Sequence, residues 1–330
     1  MLYIESPHTD PHFNLALEQH LFETIGRERE LFFLWQNANA IIVGKNQNTE
    51  AEINKAFVAE KEIKVVRRLS GGGAVYHDLG NLNFTFIVDA RGKDSLDLRL
   101  FCEPVQRLLQ SMDVDAQISG RNDITIGGKK FSGNAQYLRN GRCLHHGTIL
   151  FDSDLETAAT ALRASGDKLE SKGVASVRSR ITNVREHFLT DAACSLAEFK
   201  ERLKLAVLGD DFTEYHLTDA DLAAIARLQA ERYQTWDWNF GSSPRFSLQK
   251  SRRIDGCGKI ELHLDVKNGL IEAIRFFGDF FGSRETAELA AKLVGCRLEA
   301  LAIQEALAEI DVSQYFHNLT VDDLIGVLCM

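Results

Sequence analysis

An α+β protein in two units is what this sequence predicts, on three observations. The chain has 330 residues, and domains usually hold about 100–200. Short apolar runs of strand type and helical apolar stripes both occur along it. Near residue 245, "QTWDWNFGSSPRF" interrupts the pattern with Gly, Ser and Pro, the residues that punctuate elements. Residues 1–244 are expected to form one domain and 245–330 a smaller one.

The elements follow in order. "DPHFNLALEQHLFETI" spaces Phe13, Leu17, Leu21 and Ile25 four apart, the stripe of a helix face. "AIIVGKNQN" is a short apolar run ending at Gly44, read as a buried strand with a polar loop after it. "EIKVVRR" and "NLNFTFIVD" are two more strands, and Gly71, Gly72 and Gly73 lie between them. "LDLRLFCEPVQRLLQSM" reads as a helix. "DITIGGKKFSGNAQYLRNGRCLHHGTILFD" is strand-rich and broken by "GG" and "RNGR", which are hairpin signals. "SDLETAATALRA" opens with Ser153 and has Glu156 three residues on, a capping-box start. "SLAEFKERLKLAVLG" repeats the signal at Ser195 and Glu198 and stops at Gly209; "TDADLAAIARLQAERY" is another helix. In the tail, "GKIELHLDVKNGLIEAIRFFG" predicts a hairpin turned by Asn268-Gly269. Helices over "RETAELAAKLVG" and "EALAIQEALAEI" follow it.

Composition narrows the function classes. Lys plus Arg total 38 and Asp plus Glu 47, a net charge of −9. A chain this acidic is a poor general nucleic-acid binder, so any phosphate must meet a local basic patch. No apolar stretch nears the ~20 residues of a membrane span. "MLYIESPHTDPHFN" carries acids and histidines where a secretory leader would be basic and then apolar, so a cytoplasmic protein is expected. The six cysteines are scattered without a CxxC pair, which argues for reduced thiols rather than a zinc site or a disulfide framework.

Chemistry concentrates in four clusters. In "VVRRLSGGGAVYHD", Arg67 and Arg68 add charge that cannot be titrated away, suited to phosphate, and precede three glycines whose N–H groups can cradle an anion without a Cβ in the way. His77, Asp78, Gly80 and Asn81 follow. The run is neither a Walker A loop nor a dinucleotide fingerprint. In "GRNDITIGGKKFSGNAQY", Asn122 and Asp123 precede a strand, and Lys129 and Lys130 lie past the Gly127-Gly128 turn. By alternation only one of these lysines faces a cleft. In "LHHGTIL", His145 and His146 point to opposite faces, so they are poor joint metal ligands and one can line a pocket. "ESKGVASVRSRITNV" is locally basic through Lys172, Arg178 and Arg180.

In this order, "RRLSGGGAVYHDLGN", "GRNDITIGGKKFSGNAQ", "HHGTILFD" and "SKGVASVRSRITN" resemble the lipoate–protein ligase A family. "YQTWDWNFG" before a small C-terminal unit resembles the bacterial members with an accessory domain. The resemblance implies a mixed-sheet catalytic domain related to biotin ligases and class II aminoacyl-tRNA synthetases. It implies that lipoate and ATP form lipoyl-adenylate and pyrophosphate. The lipoyl group then passes to a lysine on a lipoyl domain of a 2-oxoacid dehydrogenase complex or on glycine-cleavage H protein.

Carried onto this chain, the resemblance makes Arg68 the ATP-binding arginine and Gly73, Ala74, Val75 and Tyr76 the nucleotide-binding stretch. Lys130 becomes the lysine that meets both lipoate and nucleotide, and residues 171–183 a loop over the adenylate. The nucleotide set is completed by Asn81, Asp123, Lys172, Arg178 and Arg180. The lipoate set is Lys130, Arg68, Ser70, Gly71, Gly72, His77, His145 and Gly147. Magnesium would offset pyrophosphate charge, with Asp123 a candidate ligand. Two other readings compete: an ATP-independent octanoyl or lipoyl transferase, for which Cys143 is the sole cysteine near the motifs, and a lipoate-binding protein without catalysis, which would be expected to lack Lys130.

Overall fold

Fourteen strands and the helices that cover them are seen in a computed structural model, which describes residues 1–47, 49–92, 97–120, 122–162, 180–188, 194–240, 248–267 and 270–329. The strands are β1 (Leu2–Glu5), β2 (Leu31–Trp35), β3 (Ala40–Val43), β4 (Lys64–Arg67), β5 (Val75–His77), β6 (Asn81–Asp89), β7 (Ala116–Ser119), β8 (Asp123–Ile126), β9 (Lys129–Arg139), β10 (Arg142–Leu150), β11 (Thr213–Glu214), β12 (Leu248–Ile254), β13 (Gly258–Lys267) and β14 (Leu270–Gly278). The main sheet runs β11-β1-β2-β6-β10-β9-β8-β7. It is mixed: β1 pairs parallel with β2 and β11, and the other pairs are antiparallel. A second mixed sheet is ordered β4-β3-β5, and a third, antiparallel one β12-β13-β14.

Alternation along β6 places the site. Leu82, Phe84, Phe86 and Val88 enter one core, so Asn81, Asn83 and Thr85 turn to the other face, all buried. The helix Pro11–Glu23 covers that face, burying Leu15, Leu17, Leu21 and Phe22 together with Asn14, Glu18 and Gln19. Asn140 and Gly141 both have positive φ (52° and 74°), the geometry of a two-residue hairpin turn, and they join β9 to β10 as "RNGR" predicts. Residues 254–328 have a core of their own, centred on Ile260, Leu262, Phe276, Phe316 and Leu324.

Several elements depart from expectation. The helix Leu155–Ala161 is capped by Asp154, not Ser153: the aspartate accepts from the N–H groups of Glu156 and Thr157. The reciprocal box at Ser195 and Glu198 is present, and Gly209 ends that helix with φ 70°. β1 and β2 lack alternation because both their faces are buried. β12 is a polar edge strand, so no apolar period marks it. Asn268-Gly269 lies outside the described residues, and β13 and β14 pair on either side of it. No described helix is long and apolar enough to cross a membrane.

Candidate active site

The two arginines of "VVRR" make different contacts. Arg67 is buried and spends its guanidinium on protein: it donates to the carbonyls of Gly44, Lys45, Gln47, Trp238 and Asn239 and to Thr49 Oγ1. It therefore ties the "WDWN" helix (Trp236–Asn239) to the 44–49 loop, and the expectation that it supplies charge for phosphate is corrected. Arg68 donates to Ile42 O, Gly71 O and Gly73 O, holding the glycine run from inside. Burial pulls both arginines down to about 10, so both stay charged at neutral pH.

From Arg68 a buried chain of hydrogen bonds crosses the site. Arg68 Nε donates to Ser70 Oγ at 3.0 Å, and Ser70 Oγ lies 2.6 Å from His146 Nε2. His146 Nδ1 donates to Glu18 Oε1 at 2.9 Å, and Thr85 Oγ1 donates to the same oxygen at 2.8 Å. Trp35 Nε1 donates to Thr85 at 3.0 Å. Glu18, Thr85 and Ser70 are each at most 1% exposed, so the middle of the chain is enclosed and locks the loop backbone.

Two adjoining cavities open beside this chain. The first, about 340 Å³, is lined at its apolar end by Leu15, Trp35 and Ile42, and by His77, Asn83 and His146. His77 Nε2 and Asn83 Nδ2 are buried there without a hydrogen-bond partner among the described residues. Burial pushes His77 down to about 3, with the Arg68 and His146 charges adding to it, so the ring is neutral. The second, about 260 Å³, is walled by Tyr76, Phe131, Leu150, Ala158, Leu162 and Ile181. Gly73, Ala74, Val75, Lys130, Gly133 and Thr148 line both. Lys130 therefore stands at the junction, its Nζ 2.7 Å from Asp123 Oδ1. Its backbone is fixed by the 180–182 segment, through Lys130 N to Arg180 O and Thr182 N to Lys130 O.

The C-terminal unit closes the rim. Arg253, Asp279 and Phe281 line the first cavity; Arg253, Lys259, Glu261, Phe277 and Asp279 line the second. Gly278 N donates to Asn46 O at 2.6 Å, and Lys45 pairs with Glu285.

Most expected residues converge on this junction: Arg68, Gly72, Gly73, Ala74, Val75, His77, Asp123, Lys130 and Gly147 line the first cavity and Tyr76 the second. Gly147 is held to glycine by Phe84, whose ring lies 2.3 Å from the place of a Cβ. His145 is placed differently. It is on the opposite face of β10, stacked on Phe101 at 4.4 Å, and His146 lines the cavity instead. Asn81 is buried one alternation before the lining Asn83, to which it donates. Ser70 acts behind the wall through His146, and Gly71 faces the backbone of Phe280. Arg180 is exposed beside the Lys130 backbone. Lys172 and Arg178 lie outside the described residues. Glu18, Trp35, Thr85 and Asn83 were not foreseen; a buried-helix glutamate and polar residues inside an apolar strand were the available signals. Cys143 is buried in the core, its thiol pushed up to about 12 by burial, and is no nucleophile. Among the described residues no group of three or more His, Cys, Asp or Glu can hold a metal ion.

Known proteins resemble this chain along most of its length. Residues 10–207 match the family described as lipoyl protein ligase A/B catalytic domain, and 243–328 match bacterial lipoate protein ligase C-terminus. The lipoate-protein ligase LplJ of Bacillus subtilis is 44% identical over 99% of this chain and 100% of its own. Among solved structures, P. falciparum LipL1 in complex with lipoate is similar with TM-score 0.80 and 25% identity, covering 99% of both chains. A lipoate-protein ligase A bound with ATP is similar with TM-score 0.60 and 27% identity, covering 73% of this chain and 97% of that one.

Proposed function

The chain belongs to the lipoate–protein ligase family, and we propose that its two joined cavities are the lipoate and ATP sites of the ligase reaction. The enzyme is an ATP-dependent lipoate–protein ligase. The observation that carries the site reading is the position of Lys130, a cation of the catalytic unit that lines both cavities together with the glycine run. Residues 1–244 are read as the catalytic domain and 245–330 as the accessory domain.

In this reading the acyl chain of lipoate lies along Leu15, Trp35 and Ile42, and its carboxylate points to the junction. The nucleotide takes the second cavity, with the backbone of Gly73–Tyr76 along it. Attack of the carboxylate on the α-phosphate brings two anions together. Lys130 placed between them lowers that repulsion, and does so most in a site poor in water. Lipoyl-adenylate and pyrophosphate result. In the second step the ε-amine of an acceptor lysine attacks the acyl carbon and AMP leaves, so no enzyme nucleophile is needed. Asp123 at the junction is one carboxylate, which fits a magnesium ion whose other ligands are phosphates and water; that ion would offset charge on the leaving pyrophosphate.

The acceptors are lipoyl-domain proteins, and we assign lipoyl domains of 2-oxoacid dehydrogenase complexes and the glycine-cleavage H protein as the specific ones, in the cytoplasm. The transferase alternative loses ground with the buried Cys143 thiol. The test is mass spectrometry of an acceptor domain incubated with enzyme, ATP, magnesium and lipoate. A lipoyl mass increment that requires ATP supports the ligase; transfer from an acyl carrier without ATP refutes it.

A further inference from the structure

Two cations stand where the cavities meet, and each is held by a carboxylate. Lys130, from the catalytic unit, pairs with Asp123 at 2.7 Å. Arg253, from β12 of the C-terminal unit, pairs with Asp279 at 3.2 Å. Among the described residues these are the two cations that line both cavities. Asp279 is anchored independently: its Oδ1 accepts the N–H of Lys259, and it packs so closely on Gly258 (φ 124°) that a Cβ there would stand 2.6 Å from that oxygen. The Arg253 side chain remains 43% exposed.

We propose that Arg253 is a phosphate-binding residue of the nucleotide site, supplied by the C-terminal unit. The inference rests on the ligase reading above. A guanidinium matches phosphate oxygens two at a time, which an ammonium does not. Its pair with Asp279 is solvent-screened and worth little, so an incoming triphosphate displaces that carboxylate at small cost. Asp279 then stays on the Lys259 N–H rather than being left unpaired. The α-phosphate is thus flanked by one cation from each unit, and the nucleotide site is incomplete without the C-terminal unit. Nucleotide binding and seating of that unit are two readings of one contact.

The test uses the full-length chain with Arg253→Ala and Arg253→Lys, read by lipoate-dependent exchange of pyrophosphate into ATP. A separate assay follows transfer from preformed lipoyl-adenylate to an acceptor domain. The expected result is a rise of about 10–100-fold in KM for ATP in Arg253→Ala, the worth of a charged hydrogen bond. KM for lipoate should hold within about twofold and Tm should be unchanged; transfer from preformed adenylate, which keeps the α-phosphate alone, should fall less than ATP affinity does, and Arg253→Lys should restore part of the loss. An unchanged KM for ATP overturns the proposal. So does a rise in KM for lipoate alone, which would assign Arg253 to the carboxylate, or a fall in Tm with equal loss in both assays, which would make its role one of packing. Absence of lipoate-dependent exchange in the unmodified enzyme overturns the ligase reading and this inference with it.

Discussion

The carbonyl oxygen of Phe280 lies 2.4 Å from where a Cβ on Gly71 would stand. Part of the glycine run is therefore shaped by the C-terminal unit, not by a ligand. A methyl group at Gly71 must push that backbone away. Gly71→Ala is expected to unseat the C-terminal unit, seen as a larger radius of gyration in small-angle scattering and faster proteolysis near residue 245. An unaltered scattering profile would show that the contact does not hold the units together.

Lys130→Ala should reduce lipoyl-adenylate formation by about 10²–10³, the usual loss for a positioned electrostatic group. Its pair with Asp123 is more than a third exposed, so Tm should hardly move. Near-normal turnover in a folded Lys130→Ala protein would sink the assignment. Gly133→Ala probes the same atom indirectly. Its Cβ would stand 2.8 Å from Lys130 Nζ, so single-turnover adenylation should slow while the urea midpoint stays.

Arg67→Ala should act on stability rather than on ligand affinity. It leaves the Lys45 and Gln47 carbonyls without this donor, while the Gly44 carbonyl keeps the Gln47 N–H and the Asn239 carbonyl keeps Thr49 Oγ1. Each orphaned group costs about 1–3 kcal/mol, with relaxation lowering the sum. A fall of about 2 kcal/mol or more in urea unfolding is expected. A stable Arg67→Ala protein with weakened ATP binding would return this arginine to the phosphate site.

The pH dependence of stability has a definite sign at His77. Its folded value, about 3, lies below the ordinary 6.5. Between these values the unfolded chain binds a proton that the folded chain does not. The contribution of His77 is therefore complete above about pH 6.5 and is lost as pH falls towards 3, at up to about 1.4 kcal/mol per pH unit. His77→Gln should flatten the pH 5–7 limb of a Tm-against-pH curve. An identical limb in the variant would mean that His77 is not kept neutral by the fold.

How far the sequence discloses this site depends on whether a residue's role is local. The hairpin at "RNGR" and the Ser195–Glu198 box are settled within a few residues, and both are legible. Alternation across Lys129 and Lys130 leaves one of them for the cleft, and the resemblance to the ligase family singles out Lys130. Which of His145 and His146 enters the site is not legible from their alternation alone, since it depends on which face of β10 meets the helix Pro11–Glu23. Arg67 misleads for the same reason: its acceptors come from residues 44–49 and 238–239, and no local pattern announces a guanidinium spent on distant carbonyls.

The parallel pairing of Leu2 with Thr213 and Tyr3 with Glu214 has a consequence for synthesis on the ribosome. The first strand to emerge waits for one of its two neighbours until more than two hundred further residues have been translated, and Arg67 waits 172 residues for Asn239. The order of emergence thus runs from catalytic sheet to "WDWN" clasp to C-terminal unit, and the surface on which that last unit docks is finished only as it begins to appear. A stop codon placed just after residue 207 would release a chain with an open sheet edge and an unfilled guanidinium socket, a form prone to aggregate. One placed after residue 240 would release a sheet with β11 paired on β1 but without the C-terminal unit that lines the cavity rim.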